Sequence, residues 1–298
     1  MKSRTFVATL AMIGLASAQS MLAGAIVWGN SASSGNVRLE AFDISGTTAT
    51  LVQSFLVPNA TAVNDNGRGV AVLGNTIYYT TANSGNIFIT DSISHLDLGI
   101  LASTGFAGIA NVATDGTFIY ASDYQTNSGV VNKYNTSGGL VGSVTVGTGQ
   151  GRDGFEVQNN PLLDSGNTTF ISNRGDLTSP YDVYKADGTL LVSAFINPTA
   201  NGFNISQTGI AYDGTNYFVS DVFNNRLFKY SQSGAFIGIV DLSGIGRPSG
   251  TRYLEDLSAV GNTINNPPPS DTPEPASVLL LASGLIGVVA LRRNRRSA

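Results

Sequence analysis

Charged side chains make up only 12% of this 298-residue chain, so the places where they gather are the first to test for chemistry. Arg68, Arg152 with Asp153, Glu156 close behind, and Glu255 with Asp256 recur just ahead of or within apolar segments. Carboxylates and guanidinium groups brought together do one of two jobs: they pair and fasten neighbouring elements, or they surround a ligand or a metal. Oxygen ligands alone, from Asn, Asp and Ser in polar loops, could hold calcium. No other cofactor is implied. His95 is the only histidine and cysteine is absent, which removes zinc triads and thiol nucleophiles and leaves any Ser-His-Asp arrangement dependent on one residue. No serine sits in a G-x-S-x-G elbow.

Short polar stretches supply the second group of candidates: "NSASSGN" at 30–36, "TANSGN" at 81–86, "DYQTNSG" at 123–129, "NRGDLTSPY" at 173–181 and "DVFNNR" at 221–226. They concentrate Asn, Asp and Ser and carry Tyr124, Tyr181 and Phe223. Amides and carboxylates beside aromatic faces are what a glycan needs, although the same residues also make good turns. The candidate ligand-binding face is therefore Arg68, Tyr124, Arg152, Asp153, Glu156, Tyr181, Phe223, Glu255 and Asp256.

What positions these residues is a repeat. An aromatic residue ahead of a Ser-Gly or Asp-Gly turn, followed by an apolar strand, occurs at Phe42, Tyr134, Tyr184 and Tyr230, at intervals of 92, 50 and 46 residues. The first interval is twice the last, which places a divergent copy in between, at "NIFITDSISHLDLG" from Asn86, with His95 in its outer strand. Each hairpin is preceded by another, as in "GVAVLGNTIYYTT" from Gly69 and "GIAYDGTNYFVSD" from Gly209, with Gly-Asn or Asp-Gly at the turn. Four antiparallel strands in roughly 47 residues is the size of a propeller blade. The first copy begins in mid-blade at "AIVWGN" from Ala25, and "EDLSAVGNTI" from Glu255 resembles the missing first strand. Pairing the two closes an all-β ring of five four-stranded blades, with six as the alternative if the 58–70 or 243–254 loops hide strands. The blade pattern resembles NHL and SMP-30-like propellers in strand order and Asp-Gly turns. For an SMP-30-like ring that resemblance implies a metal-dependent lactonase using channel carboxylates and an amide on inner strands, for which Glu156, Asn111 and Asp256 stand here.

The ends of the chain speak to destination. Lys2 and Arg4, an apolar run from Phe6 to Leu15 and then Ala16-Ser17-Ala18, with Ala23-Gly24-Ala25 as a second cleavage candidate, read as a secretory signal peptide over residues 1–25. After the ring at 26–264, a Pro- and Asn-rich linker at 265–272 leads to Pro273-Glu274-Pro275. An uncharged apolar run follows at 276–291, then Arg292, Arg293, Arg295 and Arg296. As a helix these 16 residues reach about 24 Å, less than the ~30 Å of a bilayer core, so the segment reads as a transient anchor with its arginines on the cytoplasmic side. Pro-Glu-Pro, a short apolar run and an arginine cluster resemble the PEP-CTERM sorting signal of Gram-negative bacteria. The resemblance implies an exosortase as partner after signal peptidase, cleavage near the motif, and delivery of the body to the cell envelope or beyond it, often where exopolysaccharide is made. Six of the 16 basic residues lie in the terminal segments, so the remainder is acidic, which argues against nucleic acid as a ligand. The expectation is an exported, non-catalytic binding or scaffold module for a glycan or envelope protein, with the hydrolase as alternative.

Overall fold

The computed structural model describes residues 24–260 apart from 33–35, 60–65, 83, 126–128, 148–150, 177, 204–205 and 249–252. The expected signal peptide, linker and C-terminal hydrophobic helix lie outside the described residues. The chain divides between Ile264 and Asn265 into two units, and only residues of the first are described. In chain order the strands are β1 (Ala25–Ser31), β2 (Arg38–Ser45) and β3 (Thr48–Leu56), then β4 (Gly67–Leu73), β5 (Thr76–Thr81), β6 (Asn86–Asp91) and β7 (Asp97–Ser103). The second half of the first turn of the ring holds β8 (Ile109–Thr114), β9 (Phe118–Asp123), β10 (Val130–Asn135) and β11 (Leu140–Thr145). Next come β12 (Arg152–Gln158), β13 (Thr169–Arg174), β14 (Tyr181–Lys185) and β15 (Leu190–Ile196). The last are β16 (Gln207–Tyr212), β17 (Asn216–Asp221), β18 (Arg226–Ser231), β19 (Phe236–Asp241) and β20 (Leu254–Val260).

They form five four-stranded antiparallel sheets: β4–β7, β8–β11, β12–β15, β16–β19, and a closing sheet in the order β20-β1-β2-β3. We number the first four blades in that order. The closing blade joins strands from opposite ends of the ring, with Ile26 opposite Val260 and Asn30 opposite Asp256. Closure leaves the innermost and second strands of every blade paired, and no sixth blade occurs among the described residues.

A blade has two faces and each is covered by a neighbouring blade, so the apolar core is divided into five seams. Val27 and Phe42 of the closing blade meet Phe218 and Leu227 of the fourth. Tyr181 and Val183 of the third meet Tyr217 and Val219 of the fourth. Leu39 and Phe55 meet Val70 and Tyr79 across the next seam, Ala71 and Tyr78 meet Ile119 and Ala121 across another, and Tyr120 meets Phe155 and Phe170 across the last. Successive side chains on a strand point to opposite faces. Adjacent Tyr78 and Tyr79 therefore enter different seams, and β4 and β5 carry the apolar runs Val70-Ala71-Val72 and Ile77-Tyr78-Tyr79 without polar alternation. Each such ring, once buried, contributes about 1.5–3 kcal/mol.

The recurring Ser-Gly or Asp-Gly turn has two duties. Gly188, between β14 and β15, holds a φ of 87° that a side chain would oppose. A Cβ there would also stand 2.1 Å from the Thr145 carbonyl oxygen of the preceding blade, so the turn docks only because it lacks one. In the divergent first blade the corresponding turn is longer, and His95 occupies a φ of 61° with no glycine. His95 therefore lies in the β6–β7 turn and not in an outer strand. Its amide donates to the Asp91 carbonyl at 2.9 Å, and its ring lies flat on Phe55 of the closing blade with centroids 4.0 Å apart. The only histidine is a seam residue.

Candidate functional site

Alternation of strand direction fixes which loops share a face. Each innermost strand starts where the second strand of its blade ends, so the loops into β4, β8, β12, β16 and β20 and the loops after β5, β9, β13, β17 and β1 surround one mouth. β1 starts and β20 ends at the opposite face, where Ile26 pairs with Val260. The chain enters and leaves the ring on the side away from the mouth.

At the mouth the second residues of three inner strands converge. Arg68 of β4 makes an ion pair with Glu255 of β20, its guanidinium carbon stands 4.9 Å from the centre of the Tyr124 ring, and it reaches the Tyr124 hydroxyl at 3.5 Å. Tyr124 is in turn held by Gln125, whose Nε2 donates to its hydroxyl at 2.9 Å. Asp153 of β12 faces the pair: burial, and then the Glu255 carboxylate, hold its carboxyl up at about 8 against the opposing pull of Arg68. Burial also raises Glu255, with Arg68 opposing. One guanidinium thus stands against two carboxyl groups in a desolvated place, where burial and the Glu255 charge favour the protonated form of Asp153.

Below the mouth the inner strands nearly touch. A Cβ on Gly209 would lie 2.5 Å from the Asp256 backbone, which is how β16 and β20 approach so closely. Asp256 is 1% exposed and both its oxygens are engaged, one by the Val70 amide at 2.9 Å and the other by Asn111 Nδ2 at 2.6 Å. Ser258 Oγ accepts the Val72 amide at 3.2 Å one step further down. Burial drives the Asp256 carboxyl upward, and the Glu156 charge adds to the rise. Glu156 is itself buried and accepts the Val157 amide at 2.9 Å. Asn111 presents its NH2 to the carboxylate, so the contact is a cross-link between blades and not a shared set of oxygen ligands. Among the described residues no group of three or more His, Asp or Glu side chains is placed to hold a metal ion.

The other candidates scatter. Arg152 precedes Asp153 but turns outward, into the seam between the second and third blades, where its guanidinium carbon stands 5.3 Å from the centre of the Tyr184 ring. Tyr181 is fully buried and donates to the Gly209 carbonyl at 3.2 Å, so it packs the seam and meets no solvent. Phe223 is 57% exposed on the rim, edge-on to Tyr253 at 6.0 Å. Tyr253 was not among the candidates, and neither were Glu40 and Arg247. Arg247 Nε donates to Glu40 at 3.0 Å and its Nη1 to Asn225 at 2.8 Å, tying the loop before β20 to the closing and fourth blades. A lone glutamate inside the apolar run "VRLEAF" is the signal that points to such a buried partner.

The PEP-CTERM protein-sorting motif matches residues 271–296. No curated protein matches the sequence. Among solved structures the chain is similar to one from a nidogen/laminin complex, with TM-score 0.54, 9% identity, and coverage of 80% of this chain and 99% of that one. A glutaminyl cyclase from Myxococcus xanthus gives TM-score 0.49 and 14% identity over 61% of this chain and 72% of that one. Likeness at this identity concerns fold alone, and it does not select an NHL or SMP-30 subtype. The sorting motif implies a secreted precursor that transits the membrane and is processed by an exosortase. Among the described residues no helix is long and apolar enough to cross a membrane, and residues 276–291 lie outside them. The chain is a five-bladed β-propeller that carries a PEP-CTERM sorting motif near its C-terminus.

Proposed function

We propose that this chain is cut near Pro273-Glu274-Pro275 and that its ring then serves as a non-catalytic binding or scaffold module in the envelope or extracellular matrix. The ligand is a glycan or a protein received at the mouth. The observation that carries this reading is how the mouth charges are used. Arg68 is engaged by Glu255 and Tyr124, and Asp256 by Val70 and Asn111, so these groups tie blades together and do not stand ready for a metal or a reacting carbonyl. The metal-dependent hydrolase is not favoured on the same ground. Among the described residues the mouth offers to solvent the half-buried Tyr124 and the exposed Phe223, aromatic faces suited to recognition. The similar ring from a nidogen/laminin complex belongs to a protein assembly, which keeps a protein ligand beside a glycan.

Ala25 already pairs with Ile44 in β1, which favours signal-peptidase cleavage after Ala18 over cleavage after Ala25. The functional reading is tested by screening the purified protein against glycans, envelope proteins and lactones, with calcium and a chelator as controls. Saturable binding without turnover is expected. Turnover that Asp153→Ala or Asp256→Ala abolishes would establish the hydrolase instead.

A further inference from the structure

A buried positive charge calls for a nearby anion, and Arg152 lacks one. It is 2% exposed, it takes part in none of the ion pairs among the described residues, and its Nε and Nη1 have no hydrogen-bond partner. The Tyr184 hydroxyl is a polar neighbour of it, and donates onward to Asp182 Oδ2 at 3.2 Å. The same guanidinium lines a groove of about 610 Å³ between the second and third blades, together with the exposed Arg174 and with Thr189 and Ser193. That volume falls within the ~300–1,000 Å³ of small-molecule sites.

We infer that this groove is a second ligand site, separate from the mouth, which takes the carboxylate of a small polyhydroxylated molecule such as a sugar acid. Three features select that chemistry. A guanidinium is planar and matches a carboxylate through two parallel N–H donors, and Arg174 adds a second cation at the rim. Thr189 and Ser193 line the groove and bring hydroxyl groups that suit a ligand's own hydroxyls. Asp182 and Asp187 also line it, and their charge repels polyanions. Asp182 does not neutralise Arg152 directly, since its carboxylate is engaged by the Ala194 amide at 2.8 Å and by the Ser193 and Tyr184 hydroxyls at 3.3 and 3.2 Å.

Titration calorimetry on the purified protein, with glucuronate, glucose, inorganic phosphate and sulfate as probes, tests the site. Glucuronate should bind saturably and glucose should not, and phosphate and sulfate should bind more weakly than glucuronate. Arg152→Met should weaken glucuronate by about tenfold or more, the scale of one charge-assisted hydrogen-bond pair. Arg174→Gln, at an exposed position where folding is not at stake, should weaken it several-fold. Ile93→Ala, at an exposed position of the first blade that belongs to neither surface, should change nothing. Absence of saturable binding, binding indifferent to both arginine variants, or a preference for phosphate or sulfate would overturn the assignment. Binding indifferent to both arginine variants would move glucuronate to the mouth, whereas absence of binding leaves the mouth reading, carried by Arg68, Glu255 and Asp256, in place.

Discussion

Arg68 and Arg152 enter the ring at the starts of β4 and β12, yet their surroundings differ. Arg68 is partly exposed and has Glu255 against it, with Asp153 and Tyr124 close by. Arg152 is the more buried of the two, packs on a tyrosine ring and its hydroxyl, and takes part in none of the ion pairs among the described residues. In a chain with so few charges, the paired arginine reads as a fastener between blades and the unpaired one as half of a contact whose other half comes from outside. The difference also separates two surfaces: a mouth whose guanidinium has a carboxylate against it, and a groove whose guanidinium is in none of the ion pairs among the described residues.

The widest gap between the two arginines should appear in stability. Arg68→Met strands the buried Glu255 beside Asp153, and breaking such a pair costs about 2–3 kcal/mol once its solvent-exposed edge is allowed for. For a ring of this size that lowers the melting temperature by roughly 5–10 °C. Adding Glu255→Gln should restore part of the loss, because the stranded charge goes with it. Arg152→Met strands no carboxylate and should change stability by less than about 1 kcal/mol in either direction. Equal losses in thermal melts of the two variants would break the comparison.

A smaller effect sharpens it through pH. The Asp153 carboxyl lies near 8 in the folded ring and near the ordinary carboxylate value when unfolded, so between about pH 4 and 8 the folded state holds a proton that the unfolded state has lost. The stability this provides is complete below that window and disappears as pH rises through 8. Asp153→Asn should therefore flatten the decline in melting temperature across the window and leave the ring more stable than wild type above it. Glu255 and Asp256, also raised by burial, keep a residual slope. A decline as steep in Asp153→Asn as in wild type would assign the proton elsewhere.

Much of the ring is legible in the sequence because its information is local. A Gly turn after an aromatic residue, repeated at a constant interval, marks each hairpin, and the strand missing before Ala25 reappears at Glu255. The site is less legible because it depends on where side chains point. The register of β12 against β13 shifts between Arg152 and Phe155, and a bulge re-aims side chains, so simple alternation does not reveal that Arg152 and Asp153 serve different surfaces. Tyr181 ends a polar loop in the sequence but opens β14 in the structure, where both faces of the blade are covered. His95 lies in a turn that has dispensed with the glycine used elsewhere. Glu40 and Arg247 are separated by 207 residues, and no local pattern announces their contact.

The export and processing of the chain are tested most directly by the mass of the form released from the native host, compared with that of a Pro273→Ala, Glu274→Ala double variant. The account predicts a released wild-type chain that has lost the apolar run and Arg292, Arg293, Arg295 and Arg296, and a variant that stays in the membrane fraction at precursor length. A released wild-type chain that still carries those arginines, or a variant that matures unchanged, would contradict it.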